Sequence, residues 1–171
     1  TTGIGTTSGT YTNDSDLDTT INIAPSGSVT YTIVGTVVTG ATGNITNKAT
    51  VDSVDTTTVT HTPEAGTVNG TKTSGTTTYA PSGTVIYTIT VNNTGAGYAL
   101  AVPVKDLISS NTTTLIGGGT GVAFGSWSIS ATTTGIGTTS GTYTNDSDLD
   151  TTINIAPSGS VTYTITGAVV T

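Results

Sequence analysis

The first 39 residues of this chain occur again at its other end. Residues 133–171 repeat residues 1–39 with two changes, Val34 to Thr166 and Thr36 to Ala168. This spacing predicts a tandem array with a period of 132 residues, of which the chain holds about 1.3 units. Near-identical long repeats usually build length. We therefore expect a structural protein and not an enzyme.

The charge balance argues against nucleic acid as a partner. Ten acidic residues stand against three lysines, and arginine is absent, so a phosphate backbone finds little to pair with. The chain lacks cysteine and methionine, which excludes disulfides and thiolate metal sites and suits exposure to oxidants outside the cell. No apolar run approaches the roughly 20 residues of a membrane span. We expect an extracellular or cell-surface location, and a mature fragment whose targeting and anchoring segments lie elsewhere.

Threonine and apolar residues alternate along much of the chain. Threonine fills 47 of the 171 positions, in runs where Val29, Tyr31 and Ile33 are separated by single threonines. A two-residue period predicts strands with one face on a core and the other in water. The same pattern recurs around Val85, Tyr87, Ile89 and Val91, around Ile21 and Ile23, at Val51, and around Val161, Tyr163 and Ile165. The sequence therefore predicts an all-β fold.

A turn followed by a strand is used twice within one repeat unit. Residues 24–33 and 80–89 match at eight of ten positions, and each begins Ala-Pro-Ser-Gly. Proline fixes φ, and we expect the glycine to adopt the positive φ of the turn. Short strands separated by such turns favour an antiparallel β-sandwich, since the period of 132 residues is too long for a solenoid coil.

Several segments resemble a known family. Residues 70–75, 80–95 and 101–107 resemble the Thr-rich conserved repeat domain of bacterial and archaeal cell-surface proteins. The two closing strands of that family match residues 27–32 and 47–51, which lie earlier in this chain. The resemblance covers essentially the whole chain. It implies an immunoglobulin-like antiparallel β-sandwich that occurs in tandem on cell surfaces.

The family pattern also suggests where one unit ends. Residues 1–65 correspond to the C-terminal half of one repeat unit, and residues 66–171 to the N-terminal and middle part of the next. Because residues 1–65 lack their own first strands, they would expose unpaired edges. Strand donation between successive subunits of a filament would satisfy both parts.

An acidic run occurs in both copies of the repeated segment. Its carboxylates alternate along the chain, at Asp14, Asp16, Asp18, Asp146, Asp148 and Asp150. Oxygen ligands at every second residue can converge on Ca²⁺, although the glycine and the distant glutamate of an EF-hand loop are missing. The run is therefore either a calcium site or a solvated turn between strands.

A second candidate site comes from resemblance alone. The chain is similar to isopeptide-containing pilin domains, in which a lysine, a buried acid and an asparagine form an amide cross-link. Lys72, Asp106 and Asn47 match these three positions. The chemistry needs a neutral amine and a protonated acid, which burial favours. The alternative is that Lys72 is a solvated lysine and Asp106 caps a turn.

Glycosylation is a third candidate. Six asparagines stand two residues before Ser or Thr with no intervening proline: Asn13, Asn44, Asn69, Asn92, Asn111 and Asn145. A sequence this rich in threonine also produces such sequons by chance.

Together these features favour a structural module of an extracellular filament, sheath or stalk. Its partners would be copies of itself, in a head-to-tail polymer or a tandem array, with no cofactor other than Ca²⁺. One alternative is a calcium-stiffened extender region of a large adhesin. A second is an ice- or carbohydrate-binding surface formed by the threonine rows, which twisted sandwich strands would support poorly.

Overall fold

The computed structural model of the chain describes residues 1–114 and 119–170. The described residues form an all-β structure with several antiparallel sheets. The strands are β1 (Ile45–Asn47), β2 (Thr50–Val51), β3 (Val54–Asp55), β4 (Val59–His61), β5 (Val68–Ser74), β6 (Thr84–Asn93), β7 (Ala99–Asp106), β8 (Thr112–Thr114), β9 (Thr120–Val122), β10 (Phe124–Thr134), β11 (Leu149–Ile155) and β12 (Ser160–Val169). A 3-10 turn spans Ile108–Ser110. The chain divides into two compact units, Thr1–Val37 and Val38–Thr171.

The largest sheet has four strands in the order β10-β12-β6-β5, all antiparallel. Its central strand β12 shows the alternation that the sequence predicts. Val161, Tyr163 and Ile165 are fully buried, whereas the threonines between them are only half-buried. From Ser160 to Ala168, each residue of β12 lies between a partner on β10 and a partner on β6, as Tyr163 lies between Ala131 and Ile89.

The second layer of the core comes from the two-stranded sheet of β7 and β11. Leu149, Ile153 and Ile155 of β11 are buried, and Val104 of β7 packs with them. These side chains form one hydrophobic cluster with those of the four-stranded sheet. The arrangement is consistent with a β-sandwich, since two sheets bury their apolar faces against each other.

The Pro-Ser-Gly turns form where the sequence places them, but the expected role of glycine is wrong. In all three turns the glycine N–H donates to the alanine carbonyl at 2.8 to 2.9 Å. The positive φ belongs to the serine: 59° at Ser26, 59° at Ser82 and 56° at Ser158. Glycine is needed for space instead. A Cβ on Gly159 would come within 2.7 Å of the Thr134 carbonyl oxygen.

Residues 45–61 form an exposed hairpin. Strand β1 pairs with β4, β2 pairs with β3, and a hydrogen bond joins Ala49 to Thr56 between them. Asp52 and Ser53 at its tip both have positive φ, 49° and 64°, as a two-residue type I′ turn requires. Every residue of these four strands is exposed. In the part of the chain that the structure covers, no helix is long and apolar enough to cross a membrane.

The buried side chain of Asn93 ties three segments together. Its Oδ1 accepts hydrogen bonds from the N–H groups of Thr67 (2.9 Å) and Gly95 (3.0 Å). Its Nδ2 lies 2.8 to 3.1 Å from the carbonyl oxygens of Gly97, Ile155 and Ala156. The amide therefore anchors the entry to β5 and the end of β11 to the turn after β6.

We expect Asn93→Ala to lower the free energy of unfolding by about 2–4 kcal/mol, because buried backbone groups lose their partners. Asn69→Ala is the matched control. The side chain of Asn69 is exposed and makes one long hydrogen bond to Thr94. Asn69→Ala should therefore lower the free energy of unfolding by no more than about 0.5 kcal/mol. Urea unfolding measures both, and equal effects would contradict the anchoring role.

The phenol of Tyr163 makes the fold sensitive to alkaline pH. Burial, with a smaller contribution from the neighbouring Tyr143, raises the pKa of Tyr163 from 10.0 to about 12. Its hydroxyl donates to the Ser140 carbonyl oxygen at 2.5 Å. Because the folded pKa is the higher one, this stabilisation is complete below pH 10 and is lost as the pH rises towards 12.

We therefore expect the melting temperature to fall between pH 10 and 12 more steeply in the natural chain than in Tyr163→Phe. The variant should be less stable at pH 7 because it lacks the hydrogen bond. Thermal unfolding followed by circular dichroism across this range measures both effects. Parallel pH profiles for the two proteins would show that another group causes the alkaline loss.

Candidate functional site

An open groove lies between strands β5 and β7. Its volume is about 360 Å³, and it is lined largely by apolar residues and glycine: Val68, Gly70, Ile89, Val91, Val102 and Val104. Strand β5 is an edge strand of the four-stranded sheet, and β7 is paired with β11 alone among the described strands. Both strands therefore present a free backbone edge beside an apolar surface. An extended segment of another chain can hydrogen-bond to such an edge as a further strand.

The charged end of this groove holds two of the predicted site residues. Lys72 on β5 forms an ion pair with Asp106 at the end of β7, with Nζ 2.9 Å from Oδ1 and 2.7 Å from Oδ2. The Lys72 side chain is 40% exposed and that of Asp106 is 13% exposed. Lys72 Nζ also lies 4.6 Å from the ring centroid of Tyr87, at the distance of a cation–π contact.

The third predicted residue of this set lies elsewhere. Asn47 is exposed on β1, opposite Val59, in the hairpin sheet. The fold thus brings Lys72 and Asp106 together and places Asn47 on a different sheet. The amide cross-link among the three stays a prediction.

The contact of Lys72 with Tyr87 was not predicted from the sequence, in which Tyr87 belongs to the alternating pattern of a strand that faces the core. In the β5–β6 register, Lys72 lies opposite Ile89 and Ser74 lies opposite Tyr87, so the lysine and the tyrosine are diagonal neighbours. Sequence alone offers no signal for this contact, because it depends on the register of two strands.

In the second copy, the side chains of the acidic run form hydrogen bonds or ion pairs with different partners. Asn145 Oδ1 accepts from the Ile129 N–H at 3.0 Å. Asp146 Oδ1 accepts from the Trp127 N–H at 2.6 Å, and the Asp146 N–H donates to the Trp127 carbonyl oxygen at 2.9 Å. The turn is therefore fastened to the outer strand β10 by its own side chains.

The next two carboxylates bond to β7 and the segment that follows it. Asp148 accepts from the N–H (2.8 Å) and the hydroxyl (2.9 Å) of Ser109, and the N–H bond lowers the pKa of Asp148. Asp150 forms an ion pair with Lys105 at 2.9 Å, which raises the pKa of the lysine.

Within residues 1–114 and 119–170, no three His, Asp or Glu side chains are grouped as a metal site would need. In the first copy Asp14, Asp16 and Asp18 are exposed. Asp14 has a positive φ of 59°, close to the 56° of its counterpart Asp146. Calcium binding by either copy stays a prediction, and in the second copy an ion would compete with the partners just described.

The predicted glycosylation sites differ in accessibility. Asn13, Asn44, Asn69 and Asn145 are exposed. Asn92 is half-buried within β6, between Ser160 and Asn69. The Nδ2 atom of Asn111, to which a sugar would attach, is buried and has no partner among the described residues.

The two copies of the repeated segment share their internal contacts. The same hydrogen bonds join Thr2 to Ser28 and Thr134 to Ser160, Ala24 to Thr6 and Ala156 to Thr138, Asn22 to Thr7 and Asn154 to Thr139, and Tyr31 to Ser8 and Tyr163 to Ser140. In each copy two tyrosines meet edge to face, with ring centroids 5.7 and 5.9 Å apart. The segment thus carries its own local fold.

The two copies differ in how far their apolar side chains are buried. Leu149, Ile155 and Ile165 are 0% exposed, whereas their counterparts Leu17, Ile23 and Ile33 are 42%, 54% and 72% exposed. The second copy forms strands β11 and β12, while the first copy makes only isolated bridges, Thr2 with Ser28 and Thr7 with Asn22. The same apolar side chains are therefore buried in the second copy and exposed in the first. The second copy shows which kind of surface can cover them.

Comparison of the chain with protein-family models, with curated proteins and with solved structures found no match.

Proposed function

We propose that this chain is a non-enzymatic structural module of an extracellular filament, sheath or stalk, built from immunoglobulin-like sandwich repeats that associate with copies of themselves. One observation carries the proposal. The apolar face formed by Leu17, Ile23 and Ile33 is exposed in the first copy, yet the identical side chains are buried in the second. An apolar face with this much exposure favours association.

The composition is consistent with a mechanical role. The hydrophobic core consists mainly of valine and isoleucine with Tyr163, and threonines alternate with these residues along the strands. The chain lacks cysteine and methionine, the two residues whose sulfur atoms oxidants and thiols modify. In such a module repetition sets the length, and hydrogen-bonded strands transmit force between successive units.

The alternative function is an adhesin extender made of self-contained domains. It is supported by the single hydrophobic cluster that joins β6, β7, β10, β11 and β12. Calcium at the exposed Asp14, Asp16 and Asp18 would stiffen such an extender. The two functions differ in assembly, because an extender needs no contact between chains.

The test of this proposal is the assembly state of the purified chain. We expect mass to rise with concentration in light scattering, and regular axial repeats in cryo-electron microscopy. Ile33→Lys should weaken association at least about tenfold, since it places a charge on the apolar face. Thr30→Lys adds the same charge at an exposed threonine and is the matched control. Monomers at every concentration, with or without Ca²⁺, would contradict the proposal, and calcium-stiffened monomers would support the extender.

The amide cross-link is a further part of the proposal and has its own test. Lys72 Nζ would bond to the side-chain carbon of Asn47 in another copy, ammonia would leave, and Asp106 would carry the transferred proton. We expect covalent ladders on denaturing gels, with the mass of each product lower by one ammonia per bond. Lys72→Ala and Asp106→Ala should abolish the ladder. Lys105→Ala, which removes an exposed ion pair with Asp150, should leave it intact. A chain of unmodified mass would rule out the bond.

A further inference from the structure

We propose that the groove between β5 and β7 accepts residues 45–51 of a second copy of this chain as an added strand, that is, β1, β2 and the two residues between them. The inference rests on the proposed self-association and names the surfaces that would carry it.

Each wall of the groove has two small or apolar residues followed by a charged one. On β5 the row is Val68, Gly70 and Lys72, and on β7 it is Val102, Val104 and Asp106. Since Lys72 and Asp106 form an ion pair, both strands run towards the same charged end. A strand inserted between them matches both rows in the antiparallel direction when its polar residue comes first and is followed by two small or apolar residues.

Residues 45–51 have the complementary pattern. One face of this segment carries Ile45, Asn47, Ala49 and Val51, and the other carries Thr46, Lys48 and Thr50. Aligned antiparallel to β5, Asn47 lies opposite Lys72, Ala49 opposite Gly70, and Val51 opposite Val68. The amide of Asn47 can then donate to Asp106 and accept from Lys72. Ala49 fills the space that Gly70 leaves, since nothing lies within 4 Å of a Cβ at that glycine.

The donor strand is available in the structure. Its apolar residues are largely exposed, with Ile45 at 46% and Val51 at 61%. Its polar face is held to the partner strand of the hairpin, where Asp55 bonds to both Lys48 and Thr50. The other edge of the strand is free among the described residues. A two-stranded hairpin of this kind is marginally stable alone, and addition to β5 supplies a third strand.

The chain cannot fill its own groove while this hairpin is intact. In the alignment above, Ile45 lies opposite Ser74, and the hairpin places His61 beside Ile45. His61 would thus lie at the level of Ser74. Ser74 is about 20 Å from Val68 along β5, since each residue of a strand spans about 3.3 Å.

The connection from the hairpin to β5 is too short to cover this distance. Ala65 and Thr67 are hydrogen-bonded to Gly97 and Thr94 in the turn after β6, so they cannot follow the hairpin. Only residues 62–64 separate His61 from Ala65, and a fully extended chain of this length reaches about 14 Å. The occupant must come from a second copy.

Donation of this kind is head to tail. The hairpin and the groove are different surfaces of one chain, so the contact is heterologous and leaves one donor and one acceptor free at the ends. Repetition of the contact generates an open filament rather than a closed dimer.

Disulfide trapping tests the contact directly, because the natural chain has no cysteine. Chains with Ala49→Cys are mixed with mass-tagged chains carrying Gly70→Cys under mild oxidation. We expect a tagged–untagged heterodimer to form at least about tenfold faster than with Thr50→Cys, which lies on the opposite face of the donor strand. Equal rates for the two donors would overturn the proposal.

A chain carrying both Ala49→Cys and Gly70→Cys separates donation between copies from insertion within one chain. A ladder of oligomers on non-reducing gels supports the proposal. An internally linked monomer would overturn it, because the hairpin must then open.

Blocking the groove gives an independent readout. We expect Gly70→Phe to weaken association at least about tenfold in sedimentation equilibrium, whereas Gly75→Phe, at a glycine just beyond β5 with open space around it, should not. If filaments form but neither trapping nor blocking has an effect, the groove assignment fails while the proposed function stands. If the chain stays monomeric and no heterodimer is trapped, both fail.

Discussion

The central position of β12 is the constraint on which the rest of the sandwich-like unit depends. This strand is hydrogen-bonded along both edges, to β10 and β6, and its apolar face is fully buried against the residues of β7 and β11. A strand satisfied on two edges and one face loses most of its tendency to pair elsewhere. Strand β6 shares this arrangement, between β12 and β5, whereas the two strands that line the groove, β5 and β7, are each paired along one edge only among the described strands.

The repeated segment shows which features a local sequence forms even when such strand partners are absent. Its turns, its hydroxyl-to-backbone hydrogen bonds and its tyrosine pair are the same in both copies. Its strands are not, because a β-strand is defined by hydrogen bonds to another segment. The difference between Ile33 and Ile165 in exposure is therefore a difference in available neighbours, and it links the fold of this chain to the proposed association between copies.

The sequence predicted the parts of the structure that depend on short-range pattern. The alternation around Tyr87 and Tyr163 identified two strands of the main sheet, and the Ala-Pro-Ser-Gly segments identified three turns. It did not identify the positive φ of Ser158, because glycine was the obvious residue for that conformation, nor the anchoring role of Asn93, whose partners come from three distant segments. For the acidic run the sequence left two interpretations open, and the partners of Asp146 and Asp148 became visible only with the strands around them.

By itself, then, the sequence determined the all-β character of the chain, the positions of its main strands and the near-identity of its two terminal segments, because alternation, turn residues and repetition are properties of neighbouring positions. Only the tertiary structure decided which copy is covered, that Lys72 and Asp106 form an ion pair across a groove, and that β5 and β7 keep a free edge. These features depend on strand order and register, which arise from hydrogen bonds and packing between residues far apart in the chain.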